Sequence, residues 1–469
     1  MQVARMNKYL NVKVTGFRSL RNCSFRVNEG LNVLVGPNGS GKTNVAALLD
    51  FVSTFIQSGL YAAVAGAGGA VRVFSFESLH TPDTRPARMT VSVGGRVGYS
   101  SFDTAMSYLE KHKRKSGKPT EKKTEAYDSI EFNYFLSLIL NREKFTVSIE
   151  TETLSWHLMK SGKRSSSESI SASATSRDDT ACSFAVDKDR INARFSQMFS
   201  GLLMQTLSEN QQVGSDFSDG LHRNAEAGNS LFRVATPFVV PEIIEIVSAL
   251  SFDRSSNIVP DKVREDQDIA SSGNVTGDGS GVISKLYKLG GKKSAALKRR
   301  KPAKATSTYD RILDGFFKIN EHIRNISIVP NIRSGKLDAT ITVGESRRSI
   351  TVPFSWSSDG TAKWLAILTL IRVRDSGYCI EEPENYIHPA AQRMFINILR
   401  DITSNDESNF YLINTHSETI VNELAPHELM ICDYQNGTRI RRVSNPDRVR
   451  DVINETGFGL GHLYANQRL

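Results

Sequence analysis

"LNVLVGPNGSGKTNVAALLDFV", residues 31–52, decides the reading of the fold. It opens as a buried strand, Leu31 to Val35, and closes as an apolar helix. Between them Gly36, Pro37, Asn38, Gly39, Ser40, Gly41, Lys42 and Thr43 spell G-x-x-x-x-G-K-[ST] in the strand-then-helix setting the pattern requires. Glycines let consecutive backbone N–H groups turn inward around a polyphosphate, and a helix N-terminus adds partial positive charge. Lys42 is expected to reach the β- and γ-phosphates of ATP, and Thr43 to present its hydroxyl to Mg2+. The segment implies an α/β fold around a nucleotide.

Such a site needs an acid at the end of a neighbouring strand to hold Mg2+. "GYCIEEPENYIHP", residues 377–389, supplies a short buried strand, Tyr378 to Ile380, ending in Glu381 and Glu382. Glu381 is expected on the metal and Glu382 as the base that deprotonates the attacking water. Asp is commoner at the first position, so Glu381 is longer by one methylene. Glu384 stays open between a surface and a functional role. The next helix, from Pro389, should turn Phe395, Ile398, Leu399 and Ile402 to the sheet. A further strand, Phe410 to Ile413, ends at Thr415-His416, and His416 is expected at the γ-phosphate.

"FSWSSDGTAKWLAIL", residues 354–368, sets a polar cluster ahead of an apolar helix expected from Ala362 to Val373. Ser358 and Asp359 read as a helix cap. Together with the phosphate loop, "YCIEEPENYIHP" and "FYLINTHS", this stretch resembles the ABC-type ATPase head. Within that class the chain is similar to the group that includes RecF, the ATPase halves of OLD-family proteins, and the ATPase subunits of anti-phage systems such as PARIS and Septu. The resemblance implies a mixed and parallel sheet flanked by helices. It also implies that Ser358, Asp359 and Gly360 contact the γ-phosphate of ATP held by a second copy. The assembly implied is a homodimer with two sandwiched ATP molecules, or a larger homo-oligomer. Lys42, Glu382 and His416 form the expected catalytic set, and turnover is expected to be slow.

The resemblance covers about the first seventy and last one hundred and sixty residues. Lys42 and Ser358 are far apart in sequence, so the head is expected to be split: 1–100 and 306–469 form it, and 101–305 insert an α+β domain. "VRVFSF" (71–76) and "RMTVSV" (88–93) alternate like strands of the head. "FNYFLSLIL" (132–140) is a short helix or strand, and "KFTVSIETETLSWHLM" (144–159) one or two hairpin strands. "SGKRSSSESISASATS" (161–176) reads as a mobile serine-rich loop, residues 192–250 show helical patterns, and "SSGNVTGDGSG" (271–281) is a linker. No heptad repeat is sustained, which argues against an SMC or Rad50-type protein.

Net charge is +9, and residues 285–304 hold nine Lys or Arg with no acid, so the remainder sums to zero. This excludes a uniformly basic shell. The stretch is a solvated loop, a DNA-backbone contact or a site for an acidic partner. The run 110–125 is a second basic segment, and "DKD" at 187–189 is a weak metal motif. Four cysteines lie far apart without metal-ligand spacing. No signal core or membrane span is read, and a cytoplasmic protein is expected. Only 53 residues follow His416, so no nuclease domain is expected after it. The resemblance implies the sensor or scaffold subunit of a two-component anti-phage system, responding to a phage trigger protein and controlling a separate effector nuclease. The alternative is a RecF-like repair clamp closing on duplex DNA.

Overall fold

The computed structural model describes residues 8–80, 86–98, 128–160, 162–164, 168–174, 180–185, 230, 241–255, 257–271, 273–290, 297–298, 307–345, 348–373, 377–405 and 410–466. Strands β1 (Tyr9–Phe17) and β2 (Leu20–Asn28) form a hairpin, and β3 (Gly30–Val35) leads to the phosphate loop. The chain divides into two compact units.

The first unit comprises 1–29, 38–252 and 432–441. Its sheet runs β2-β1-β4-β5-β6-β8-β9, with β4 Ala87–Gly98, β5 Ser129–Asn141, β6 Thr146–Lys160, β8 Glu168–Ala174 and β9 Thr180–Ala185. The two-residue β7 (Lys163–Arg164) pairs with β6. These pairings are antiparallel. Alternation explains β1 and β4: Leu10, Val12, Val14, Met89, Val91 and Val93 point inward, and polar residues point out. Its described helices are α1 (Lys42–Ser58), α2 (Leu60–Gly66), α3 (Phe76–His80) and α4 (Pro241–Leu250).

The second unit comprises 30–37, 253–431 and 442–469. The six-stranded sheet has the order β10-β16-β17-β3-β18-β19, with β10 Phe252–Ser255, β16 Gly377–Glu381, β17 Phe410–Asn414, β18 Leu429–Tyr434 and β19 Thr438–Arg442. β16, β17, β3 and β18 pair in parallel. All six residues of β3 and all five of β17 are buried, as parallel strands covered on both faces must be. A smaller sheet joins β11 (Gln267–Asp268), β12 (Leu297–Lys298), β13 (Ile323–Asn331), β14 (Lys336–Glu345) and β15 (Arg348–Pro353). Around them lie α5 (Pro260–Arg264), α6 (Val282–Gly290), α7 (Thr308–Ile319), α8 (Asp359–Val373), α9 (Pro389–Asn405), α10 (Glu418–Asn422), α11 (Pro446–Thr456) and α12 (Leu460–Ala465). α8 is buried on every side from Thr361 to Ile371, so it runs through the core rather than along it.

The expected α/β architecture is present, with differences in the detail. α8 begins at Asp359, earlier than the apolar run suggested. "FNYFLSLIL" is strand β5. "VRVFSF" is not a strand: residues 70–72 form a 3-10 turn, and Phe74 makes a single bridge to Phe17. Gly68 and Gly69 at positive φ turn the chain sharply there, and the Arg18 guanidinium binds the Ala67 and Arg72 carbonyls that a ladder would have used. The serine-rich 161–176 contains β7 and β8. Of the helical patterns at 192–250, α4 and Ser230 are described. Residues 110–125 and 187–189 lie outside the described residues. Of 285–304, residues up to Gly290 lie in α6 and 297–298 form β12; the rest lie outside them. Among the described residues, Cys23, Cys379 and Cys432 are buried free thiols, and no helix is long and apolar enough to cross a membrane.

Candidate nucleotide site

The phosphate loop leaves β3 at Gly36 and enters α1 at Lys42. Gly39 has φ +80° and Gly41 φ +102°, left-handed values that glycine adopts without strain. A Cβ on Gly41 would strike the Thr438 hydroxyl, so the loop has room only for glycine there. No side chain caps α1, and its first turn carries no acid. The positive end of the helix dipole therefore meets no side-chain acid of its own, which suits an anion.

Thr438 anchors the loop from the β18–β19 hairpin. Its hydroxyl donates to the Ser40 carbonyl at 2.9 Å and meets the Ser19 hydroxyl at 2.7 Å. Asn44 Nδ2 donates to Ser19 Oγ at 2.7 Å, and Cys432 Sγ to the same Ser40 carbonyl. The Ser40 hydroxyl is buried without a protein partner. Beside Ser19 a cavity of about 520 Å³ is lined by Arg18, Arg21, Arg72, Phe76 and Tyr434, among others. Neither the anchor nor this cavity was read from the sequence. The polar "RS" at the β1–β2 turn, between two apolar strands, was the available signal.

In the second unit the parallel register aligns Glu381 with Asn414 and Asn414 with Leu34. The ends of β16, β17 and β3 therefore lie side by side. Glu381, Thr415-His416 and the exit to Gly36 share one edge. The Thr415 N–H donates to the Leu34 carbonyl at 3.2 Å. The Glu381 side chain is only 7% exposed and accepts from Arg254 Nε at 2.6 Å. Glu382 is exposed, with φ +46°; its carboxylate accepts from Asn385 Nδ2 at 2.8 Å. Both of its backbone groups are held, the N–H by the Asn414 carbonyl at 2.8 Å and the carbonyl by Lys363 Nζ at 3.0 Å. Glu384, left open above, accepts from the His416 N–H at 2.7 Å, while its second oxygen is buried without a partner.

Ser358 is the cap of α8: its hydroxyl accepts from the Thr361 N–H at 3.2 Å and meets the Thr361 hydroxyl at 2.9 Å. Arg264 of α5 donates to the Ser357 carbonyl and to Asp359, each at 2.6 Å. A Cβ on Gly360 would lie 2.5 Å from the Tyr386 carbonyl oxygen, so this turn and the acidic loop meet backbone to backbone. Trp356 and Tyr386, 75% and 64% exposed, stand near the turn. Lys363 is buried on the same helix, and burial lowers its pKa to about 8 against the opposing pull of Glu384 and Glu382. Arg254, Arg264 and Lys363 were not singled out from the sequence.

Among the described residues no three His, Cys, Asp or Glu side chains gather into a metal cage. A single carboxylate at a strand end, Glu381, instead suits Mg2+, which keeps waters and takes phosphate oxygens.

A search of curated proteins gives no match. Solved structures with a similar course of chain include the Smc head bound to the C-winged helix domain of ScpA, 11% identical, TM-score 0.43, covering 93% of this chain and 98% of that one. The Smc head with an extended coiled coil bound to the C-terminal domain of ScpA from Pyrococcus furiosus is 11% identical, TM-score 0.41, covering 97% and 100%. The SMC head domain from Thermotoga maritima is 11% identical, TM-score 0.35, covering 94% and 99%. The family model described as "AAA domain, putative AbiEii toxin, Type IV TA system" matches residues 31–422, from the strand before the phosphate loop to the helix after His416. With a phosphate loop, a strand-end acid pair and a match over most of its length, the chain belongs to this AAA-domain family.

Proposed function

We propose that this protein binds and slowly hydrolyses ATP, with nucleotide gating the closure of a homodimer or larger assembly of identical chains. The observation that carries the reading is the shared edge of β16, β17 and β3, where two acids and a histidine end beside the strand that feeds the phosphate loop. Gly36 to Gly41 cradle the phosphates, Lys42 neutralises the β- and γ-oxygens, and the cavity beside Ser19 seats the base, with Arg18, Arg21 and Tyr434 around it. Thr43 and Glu381 would hold Mg2+, which supplies charge neutralisation at the phosphates. Glu382 takes the proton from the attacking water, and His416, fixed through its backbone by Glu384, contacts the γ-phosphate.

Ser358, Asp359 and Gly360 meet the γ-phosphate held by a second copy. The start of α8 offers N–H groups for it, and exposed Trp356 and Tyr386 offer apolar contact. Binding energy for that phosphate closes the interface and hydrolysis loosens it. The biological role we assign is the sensor or scaffold subunit of a two-component anti-phage system whose effector, a nuclease, is a separate chain.

The test has three arms. Lys42→Ala should abolish ATP binding by equilibrium dialysis. Glu382→Gln should bind ATP, hydrolyse about a hundredfold more slowly, and accumulate the closed assembly on a sizing column. Wild-type turnover in Glu382→Gln removes Glu382 as the base. Co-expression with the product of the adjacent gene should give a stable complex indifferent to DNA; a DNA-stimulated ATPase with steep salt dependence and no such complex refutes the defence role.

A further inference from the structure

Glu382 occupies an awkward backbone conformation. Its φ is +46°, left-handed for a residue that is not glycine, and Pro383 follows it. A residue before proline is pushed toward extended conformations, so this turn is disfavoured twice. Tyr386, four residues on, is left-handed as well, at φ +67°. Strain of this kind persists only where the surroundings over-determine it.

Two elements do so here. The strand that ends at Thr415-His416 takes the Glu382 N–H through the Asn414 carbonyl. The helix that starts at Ser358 takes the Glu382 carbonyl through Lys363 Nζ. Lys363 is 3% exposed, its Nζ lies 5.8 Å from the Tyr386 ring centre, and Glu382 and Glu384 are the acids that act on its charge. Burying an ammonium there is unfavourable, and a methionine would fill the space without that cost. The ammonium donates its hydrogen bond to the carbonyl of the residue proposed as the base. Lys363 lies one turn beyond Gly360, whose backbone meets the Tyr386 carbonyl at the far side of the same loop.

We propose that Lys363 is a positioning residue: it fixes the turn that aims the Glu382 carboxylate, and it ties that turn to the helix carrying the Ser358–Gly360 contact. Resting on the function proposed above, this means that each copy's base is set by its own α8. When Ser358 at the start of that helix engages a neighbour's phosphate, the same rigid helix orients Glu382 for the nucleotide in its own copy. The two sites of a dimer then fire in concert, through Lys363 and without a flexible intermediary.

The experiment uses the full chain with Lys363→Met and Lys363→Arg, assayed for ATP affinity and for steady-state hydrolysis. Lys363→Met should keep ATP affinity within about twofold and lower kcat at least about tenfold, since a misplaced base costs rate rather than binding. Lys363→Arg, which retains a donor for the carbonyl, should recover kcat to within about threefold of wild type. Unchanged kcat in Lys363→Met overturns the proposal. So does a loss of affinity and kcat in equal measure that arginine does not restore, the mark of a residue that only supports the fold. Glu382→Gln runs alongside: if it hydrolyses like wild type, the base assignment falls and this inference with it; if it is impaired while Lys363→Met is not, only the role of Lys363 falls.

Discussion

Arg254→Ala removes the partner of a nearly buried carboxylate. In the resting chain, Arg254 Nε lies 2.6 Å from Glu381 Oε1, with side-chain exposures of 19% and 7%. Breaking a buried ion pair by deleting one member costs about 3–5 kcal/mol, and a hydrogen bond to a charged group about 1.5–3 kcal/mol. Arg254 retains some solvent, so the lower part of that span applies and the expected loss is about 2–3 kcal/mol. The assay is urea unfolding in EDTA, followed by tryptophan fluorescence in a Trp156→Phe, Trp356→Phe background, so that the signal comes from Trp364, buried in the same unit as the pair. Glu381→Gln and the double variant complete a cycle, and the coupling energy should exceed about 1.5 kcal/mol. Mg2+ with a non-hydrolysable ATP analogue should raise the midpoint of Arg254→Ala more than that of wild type, because the proposed metal contact would replace the arginine at the carboxylate. A coupling below about 0.5 kcal/mol would refute the reasoning, since the pair would then be held by its neighbours and not by its charges.

Gly360→Ala puts a methyl group 2.5 Å from the Tyr386 carbonyl oxygen, in a loop with two left-handed residues that cannot easily retreat; the expected loss is about 1–3 kcal/mol in the same unfolding assay, and no loss would mean the loop yields freely. Lys363 gives a pH signature. Its pKa falls from the ordinary 10.5 to about 8 on folding, so above about pH 8 the unfolded chain binds more protons than the folded one. Stability should therefore rise between about pH 8 and 10.5, by at most about 3 kcal/mol, and Lys363→Met should lack that rise.

The phosphate loop was legible because its chemistry is local: glycines, a lysine and a threonine at fixed offsets, between a strand and a helix. The acid pair and His416 were legible as polar residues at the ends of apolar strands. The partners that hold them were not. Arg254 is 127 residues from Glu381, and Arg264 is 95 from Asp359, separations that no periodicity encodes. Lys363 could have been found, since it is the one charge between Asp359 and Arg372 in an otherwise apolar helix. The serine-rich 161–176 misled through composition. "ESISASA" alternates with period two, and β8 follows the alternation rather than the polarity. "VRVFSF" misled the other way, because glycines just ahead of it and a side chain from β1–β2 satisfied its backbone first.

The β1–β2 turn that reaches Ser40 through Ser19 and Thr438 belongs to the same ladder as the inserted strands β5 to β9. By register, β5 runs alongside β4 as β1 does, so the tip at 142–145 and the turn at Arg18–Ser19 lie at one end of the sheet. Cross-strand hydrogen bonds join each of these strands to the next, so one continuous ladder runs from the outer strands to that turn. A ligand that tilts the outer strands would therefore load the same ladder that carries the Ser19 anchor of the phosphate turn.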